Sequence, residues 1–196
     1  PMTYQLFTGD PVARRRYWAR SHIGWQLMRT AVPNAGHLAV AELERHGLVV
    51  GTITQNVDGL HQAAGAQRVI DLHGRLDRVV CLSCGTPEPR ARVRERLDAA
   101  NATWSATITA VNPDGDVDLP DEQLDGFTVV DCERCGGVLK PDVVYFGENV
   151  PPERVVAAYD LVDAATALLV LGTSLTVFSG RRFVLRAAKA GVPVAI

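Results

Sequence analysis

Short apolar runs alternate with amphipathic segments along much of the chain. The apolar runs are continuous and rich in Val, Leu and Ile, and they cover residues 48–54, 167–172 and 192–196. The amphipathic segments repeat apolar residues at helical spacing, and they cover residues 34–46, 153–165 and 181–190. Short strands that alternate with helices predict an α/β fold, in which a parallel sheet has helices on both faces.

Two arginine-rich segments also have a helical pattern. Residues 14–18 (RRRYW) predict an amphipathic helix with Trp18 buried, and residues 90–100 predict a short helix. The arginines of the second segment are interleaved with Glu95 and Asp98, which favours a solvated helix face over a nucleic-acid site. The sequence Asn-Pro-Asp-Gly at 112–115 predicts a turn within irregular chain.

Polar residues follow two of the predicted strands. The first strand is followed by Gln55, Asn56, Val57 and Asp58, and the second by Gly172, Thr173 and Ser174. Parallel sheets bind ligands beyond the carboxyl ends of their strands, so we interpret these groups as candidate ligand contacts. The alternative is a polar turn with Asp58-Gly59 at its tip. The sequence contains no Gly-x-Gly-x-x-Gly pattern, so the ordinary dehydrogenase fingerprint does not apply.

The four cysteines form two Cys-x-x-Cys pairs, separated by 47 residues. These pairs are Cys81 with Cys84 and Cys132 with Cys135, and a glycine follows the second cysteine of each pair. Four thiolates close the tetrahedral shell of a structural zinc ion, which predicts a zinc-binding module at residues 81–135. The alternatives are disulfides, free thiols or a redox pair, and two matched pairs in a chain of this size argue against them.

The sequence around His73 suggests that this histidine has a catalytic role. It lies between a polar strand end and the predicted zinc module, and Gly74 follows it. No serine or cysteine lies near it in a nucleophile arrangement, so the sequence does not support a hydrolase triad. If His73 is catalytic, we expect it to act as a general base, because the pKa of histidine is near neutrality.

Composition limits the classes of protein to which this chain can belong. Apolar residues make up 47 % of the chain and charged residues 21 %, with a net charge of −2, which excludes a disordered chain. This charge gives no general attraction to nucleic acids or anionic membranes, and we expect neither as a partner. No apolar run reaches the roughly 18 residues that a membrane span needs.

Taken together, the motifs resemble the sirtuins, a family of NAD-dependent protein deacylases. In chain order they are 54–61 (TQNVDGLH), 72–74 (LHG), the two Cys-x-x-Cys pairs, 140–148 (KPDVVYFGE) and 172–175 (GTSL). The segments 101–105, 113–117 and 177–180 resemble the class II branch, which includes mitochondrial sirtuin 4.

The resemblance implies a Rossmann-like NAD-binding domain at residues 1–80 and 136–196, with a small zinc-binding module inserted at 81–135. It implies that His73 is the catalytic base, and that the seven residues after the two strands contact NAD. It also implies a peptide-binding edge formed by Val144, Phe146, Gly147 and Glu148. An extended substrate peptide would add there as a strand.

The implied cofactors are NAD, as cosubstrate, and one structural Zn²⁺. The implied partners are acylated lysine side chains of proteins, and the implied products are nicotinamide and O-acyl-ADP-ribose. Two alternatives stay open: an NAD-dependent mono-ADP-ribosyltransferase, and a zinc-ribbon binding module without catalysis.

The chain begins at Pro1 and stops at Ile196 inside an apolar run, so we expect a piece of a longer protein. Compared with sirtuins, it lacks the phosphate loop that precedes these motifs and the end of the domain. We expect a cytoplasmic protein if the source is bacterial. The mitochondrial matrix stays open, because we expect further residues ahead of Pro1.

Overall fold

A computed structural model describes residues 2–111 and 117–196. The turn predicted at 112–115, and most of the class II feature at 113–117, lie outside the described residues. The helices, in chain order, are α1 (Tyr4–Gly9), α2 (Pro11–Met28), α3 (Ala35–Arg45), α4 (Leu60–Ala63), α5 (Arg90–Ala100), α6 (Asp121–Leu124), α7 (Pro152–Asp163) and α8 (Phe178–Lys189). The strands are β1 (Thr52–Thr54), β2 (Val69–Asp71), β3 (Gly74–Cys81), β4 (Pro87–Pro89), β5 (Ala110–Val111), β6 (Val117–Asp118), β7 (Leu139–Val143), β8 (Leu168–Leu169) and β9 (Val194–Ala195).

The chain divides into two compact units. The first comprises Pro1–Val32 and Gly74–Glu148 and contains the antiparallel sheet β4-β3-β7. Helix α2 begins at Pro11, where the Asp10 side chain accepts hydrogen bonds from the amides of the first turn. Trp18 of this helix is buried, and its Nε1 donates to the carbonyl of Leu139 at 3.2 Å. The predicted helix with a buried tryptophan is therefore confirmed.

This unit extends beyond the zinc module predicted at 81–135. Residues 1–32, 74–80 and 136–148 belong to it as well. The physical reason is that β3 pairs with β7, for example Cys81 with Leu139, while side chains of α1 and α2 join the apolar core around Val79. As an assignment of NAD-binding and zinc-binding parts, the predicted division into 1–80, 81–135 and 136–196 stays a prediction.

The second unit comprises Pro33–His73 and Asn149–Ile196 and is built from β–α–β connections. Strands β1 and β2 pair in parallel, with α4 between them in sequence. Strands β8 and β9 also pair in parallel, with α8 between them in sequence. Parallel pairs joined through helices confirm the predicted α/β class.

The first strand of this unit is shorter than predicted. We expected a strand over 48–54, and β1 covers Thr52–Thr54. Helix α3 ends in a left-handed Gly47, and the amides of Leu48 and Val49 both donate to the carbonyl of Leu43. These amides complete the helix end and are therefore unavailable to a ladder.

Among the described residues, no helix combines the length and the apolar character that a membrane crossing requires.

Candidate active site

The carboxyl ends of β1 and β2 lie side by side and present the first group of candidate residues. Thr54 pairs with Asp71, and the amide of Leu72 donates to the carbonyl of Thr54 at 3.0 Å. Because the pairing is parallel, the residues after both strands emerge at the same edge. Gln55 and His73 are therefore neighbours although 18 positions separate them.

Two hydrogen bonds orient the imidazole of His73. Its Nδ1 lies 3.1 Å from the carbonyl oxygen of Gln55, and its Nε2 lies 2.8 Å from Oγ of Ser179. A carbonyl can only accept, so Nδ1 carries the proton of the neutral ring, and Nε2 accepts from the Ser179 hydroxyl. The ring therefore presents its basic nitrogen on the side of Ser179.

Burial lowers the pKa of His73 below its ordinary value of 6.5. The bond to Gln55 opposes this shift, and the nearby positive charge of Arg154 adds to it. Desolvation disfavours the charged imidazolium, so the ring is held neutral near pH 7. A neutral imidazole with a defined acceptor nitrogen is the form that a general base needs.

The segment after β8, residues 172–174, lies at the same edge. The side-chain amide of Gln55 donates to Oγ of Thr173 at 3.1 Å. A Cβ atom at Gly180 would lie 2.6 Å from Oε1 of Gln55, so the Gln55 side chain occupies the space that a larger residue would take. Ser179 and Gly180 thus support His73 and Gln55. The sequence indicated these two residues only as part of the resemblance to the class II branch, because their contacts span more than 100 positions.

The other candidate NAD contacts lie in local turns. Oδ1 of Asp58 accepts from the amide of Leu60 at 2.9 Å, and Gly59 between them is left-handed. Asn56 is exposed and Val57 half-buried. Ser174 is exposed and lies 2.9 Å from Oγ1 of Thr176, and Gly172 has a φ of +62°.

The four cysteines converge in the first unit. Their sulfur atoms all lie within 4.8 Å of one another, with Cys81 and Cys135 3.5 Å apart and Cys84 and Cys132 3.8 Å apart. Sulfurs of a zinc tetrathiolate with bonds of about 2.3 Å are about 3.8 Å apart, so the set fits zinc. The separations are too long for disulfides, and none of the four cysteines forms one.

The two Cys-x-x-Cys pairs have the same backbone geometry. The amide of Gly85 donates to the carbonyl of Cys81, and the amide of Gly136 donates to that of Cys132. Both glycines have a φ of +68°, which side chains rarely adopt. Each turn directs two thiolates toward one point. Four such ligands would leave no open position on a zinc ion, so the residues fit a structural zinc site.

The predicted peptide edge follows β7 in the first unit. Phe146 is exposed, and its carbonyl accepts from the amide of Tyr4 at 2.9 Å. The Gly147 carbonyl accepts from Nε2 of Gln5 at 3.1 Å, and Val144 is half-buried. Oε2 of Glu148 accepts from the amide of Tyr145 at 2.8 Å, so this carboxylate makes a hydrogen bond within its own segment.

A model described as "Sir2 family" matches residues 3–179. The chain therefore belongs to the Sir2 family, whose members are the sirtuins.

Two relatives show where in this family the chain falls. It is 64 % identical over 196 residues to "NAD-dependent protein deacetylase 1" of Streptomyces coelicolor, covering all of this chain and 66 % of the relative. It is 51 % identical over 195 residues to "NAD-dependent protein deacetylase" of Bordetella bronchiseptica, covering all of this chain and 71 % of that relative. The chain thus spans about two thirds of the length of these relatives.

Solved structures agree with the fold. A structure described as "Sir2-p53 peptide-NAD+" matches with a TM-score of 0.74 at 28 % identity, over 98 % of this chain and 68 % of the other. One described as "Structure of Sir2Tm bound to a propionylated peptide" matches with a TM-score of 0.76 at 29 % identity, over the same shares. The predicted sirtuin family and its Rossmann-like α/β fold are confirmed.

Proposed function

We propose that this chain carries the catalytic residues of an NAD-dependent protein-lysine deacylase, and that His73 is its general base. The observation that carries the proposal is the orientation of His73, whose Nδ1 is bound to Gln55 and whose Nε2 faces a hydroxyl at 2.8 Å. The names of the two relatives described above, both NAD-dependent protein deacetylases, support the reaction class.

The strand ends offer chemistry that suits NAD. The carboxylate of Asp58 can accept from the amide of nicotinamide, and Asn56 has both a donor and an acceptor for the ribose or a water. The exposed Gly172 and Ser174 allow a ribose or phosphate to approach the backbone. Thr173 is engaged by Gln55, which fixes the loop after β8 against the end of β1.

NAD is a substrate of this reaction: loss of nicotinamide leaves an electrophilic ribose C1′, which the acyl oxygen of the substrate lysine captures. His73 acts in the next step. Its Nε2 accepts the proton of the ribose 2′-hydroxyl, directly or through the adjacent ribose hydroxyl, and the resulting alkoxide attacks the acyl carbon. Water then completes the release of free lysine and O-acyl-ADP-ribose.

The zinc supports the fold rather than the chemistry. Four cysteines would fill the coordination shell of the ion, which would leave no position for a substrate oxygen or a catalytic water. A bound zinc ion would join β3 to the segment before β7, and would thereby hold the chain that leads to the peptide edge.

Product analysis tests the proposal. The intact protein is incubated with NAD and an acetyl-lysine peptide, and the products are identified by mass spectrometry. We expect nicotinamide, deacetylated peptide and O-acetyl-ADP-ribose in equal amounts. ADP-ribose attached to protein, without O-acetyl-ADP-ribose, would instead identify a mono-ADP-ribosyltransferase.

A panel of acetyl, lipoyl and long-chain acyl peptides then ranks the preferred acyl group.

A further inference from the structure

Lys140 in β7 is a buried charge that the proposed mechanism does not use. Its side chain is 3 % exposed, and its Nζ lies 2.5 Å from the carbonyl oxygen of Val143 and 3.0 Å from Oε2 of Glu148. The ammonium also lies 4.5 Å from the centre of the Tyr145 ring. Burying a lysine is expensive, so contacts this close indicate a specific use.

These contacts hold the segment from Val143 to Glu148 by both ends. Lys140 binds the carbonyl at its start and the carboxylate at its end. The same carboxylate oxygen accepts from the amide of Tyr145, which lies between them. One buried ammonium therefore fixes the path of the backbone through residues 144–147.

Helix α1 holds the same segment by different groups. The amide of Tyr4 donates to the carbonyl of Phe146, and Gln5 donates to the carbonyl of Gly147. Gly147 is left-handed, and a Cβ atom there would lie 2.6 Å from Oε1 of Gln5. The segment is thus ordered before any peptide arrives, while the Phe146 side chain stays 61 % exposed.

We propose that Lys140 is a positioning residue for the peptide substrate, acting through Glu148 on the segment 144–148. The inference rests on the proposed function, in which this segment receives the acyl-lysine peptide as an added strand. Strand addition depends on main-chain hydrogen bonds, and a disordered edge must first be ordered before it can form them. Glu148 orders the edge through its own contacts with the segment. Lys140 thereby lowers the free-energy cost of ordering the edge when the peptide binds.

Lys140→Met in the intact protein is the direct test, because methionine keeps most of the length and removes the charge. The other lysine of the chain, the exposed Lys189 at the end of α8, gives the matched control Lys189→Met. Removal of hydrogen bonds to a charged group predicts a roughly tenfold rise in KM for an acetyl-lysine peptide. We expect kcat and the KM for NAD to stay within about twofold of wild type, since neither depends on the edge. Lys189→Met should leave all three values unchanged.

Glu148→Gln gives a second, milder variant that keeps the shape of the side chain and decides the matter if Lys140→Met does not fold. It should also raise the peptide KM without lowering kcat, and the double variant should add little to either single change. The inference is overturned if a folded variant has an unchanged peptide KM, whether or not its kcat falls. In that case, turnover by the wild-type protein still upholds the proposed function. Absence of wild-type turnover on acetyl-lysine peptides would overturn the proposed function and this inference with it.

Discussion

The cysteine cluster and the histidine site reach their geometry by different routes. Each pair of cysteines is shaped by its own short turn, in which a left-handed glycine directs both thiolates toward the metal. The site of His73 is assembled from the residue after β1, the second residue after β2 and the start of α8, with a contact that spans 106 positions. The first site follows from local sequence and the second from the fold, so they should respond differently to substitution.

Loss of a zinc ligand should have the largest effect on stability. Structural zinc binds zinc-finger peptides with about 10–16 kcal/mol, and most of that free energy is coupled to folding. We expect Cys132→Ser to lower the zinc content and the melting temperature together. Metal analysis and thermal unfolding of the intact protein measure both.

Ser105→Ala, at an exposed position of the same unit, is the control and should change neither. A zinc-free Cys132→Ser protein that melts like wild type would refute the structural role.

Loss of His73 should have the largest effect on catalysis while leaving the fold intact. A general base contributes about 10²–10⁴-fold, so we expect His73→Ala to lower kcat by at least about 10²-fold. NAD binding by calorimetry should change little, because the amide and carboxylate contacts remain. His46→Ala, an exposed histidine at the end of α3, serves as the control.

If His73→Ala keeps wild-type turnover, the assignment of the base is wrong.

Ser179→Ala tests whether the hydroxyl beside Nε2 of His73 contributes to catalysis. It removes one hydrogen bond to Nε2, which on average is worth about 1 kcal/mol, so we expect a roughly fivefold fall in kcat. Ser179→Thr keeps the hydroxyl and should restore most of the rate. Steady-state kinetics at saturating NAD separates the two variants, and equal rates for alanine and threonine would contradict a role for the hydroxyl.

The pH dependence should be the mildest effect. Burial lowers the pKa of His73 below 6.5, and the neutral ring is the active form. The rate should therefore fall as the pH decreases through that lowered pKa, and it should be flat above about pH 7. A profile of kcat/KM against pH measures this, and a rate that keeps rising to pH 8 would show that the ring is not held neutral.

The sequence predicted the zinc site well because its signal is local. Two Cys-x-x-Cys pairs with adjacent glycines specify ligand number, ligand type and turn geometry without reference to the fold. The helices at 34–46, 153–165 and 181–190 were also predicted to within a few residues, since apolar spacing marks all three and a glycine follows the first and the third. The strand over 48–54 was predicted too long, because the end of α3 uses the amides of Leu48 and Val49.

The partners of the candidate residues could not be predicted in the same way. Nothing near His73 in sequence indicates that Ser179 lies against its Nε2, or that Gly180 makes room for Gln55. The Glu148 carboxylate lies 3.0 Å from Nζ of Lys140, whose burial the sequence does not indicate. Such contacts follow from tertiary packing, which a single sequence does not specify.

The tautomer of His73 determines which ring nitrogen can act as the base. Nitrogen NMR of the intact protein near pH 7 distinguishes a protonated Nδ1 from a protonated Nε2. The Gln55 carbonyl requires the proton on Nδ1, with Nε2 free to accept a hydroxyl proton. We predict that tautomer in the absence of substrates; a ring protonated on Nε2 would place the basic nitrogen on the wrong side and contradict the account.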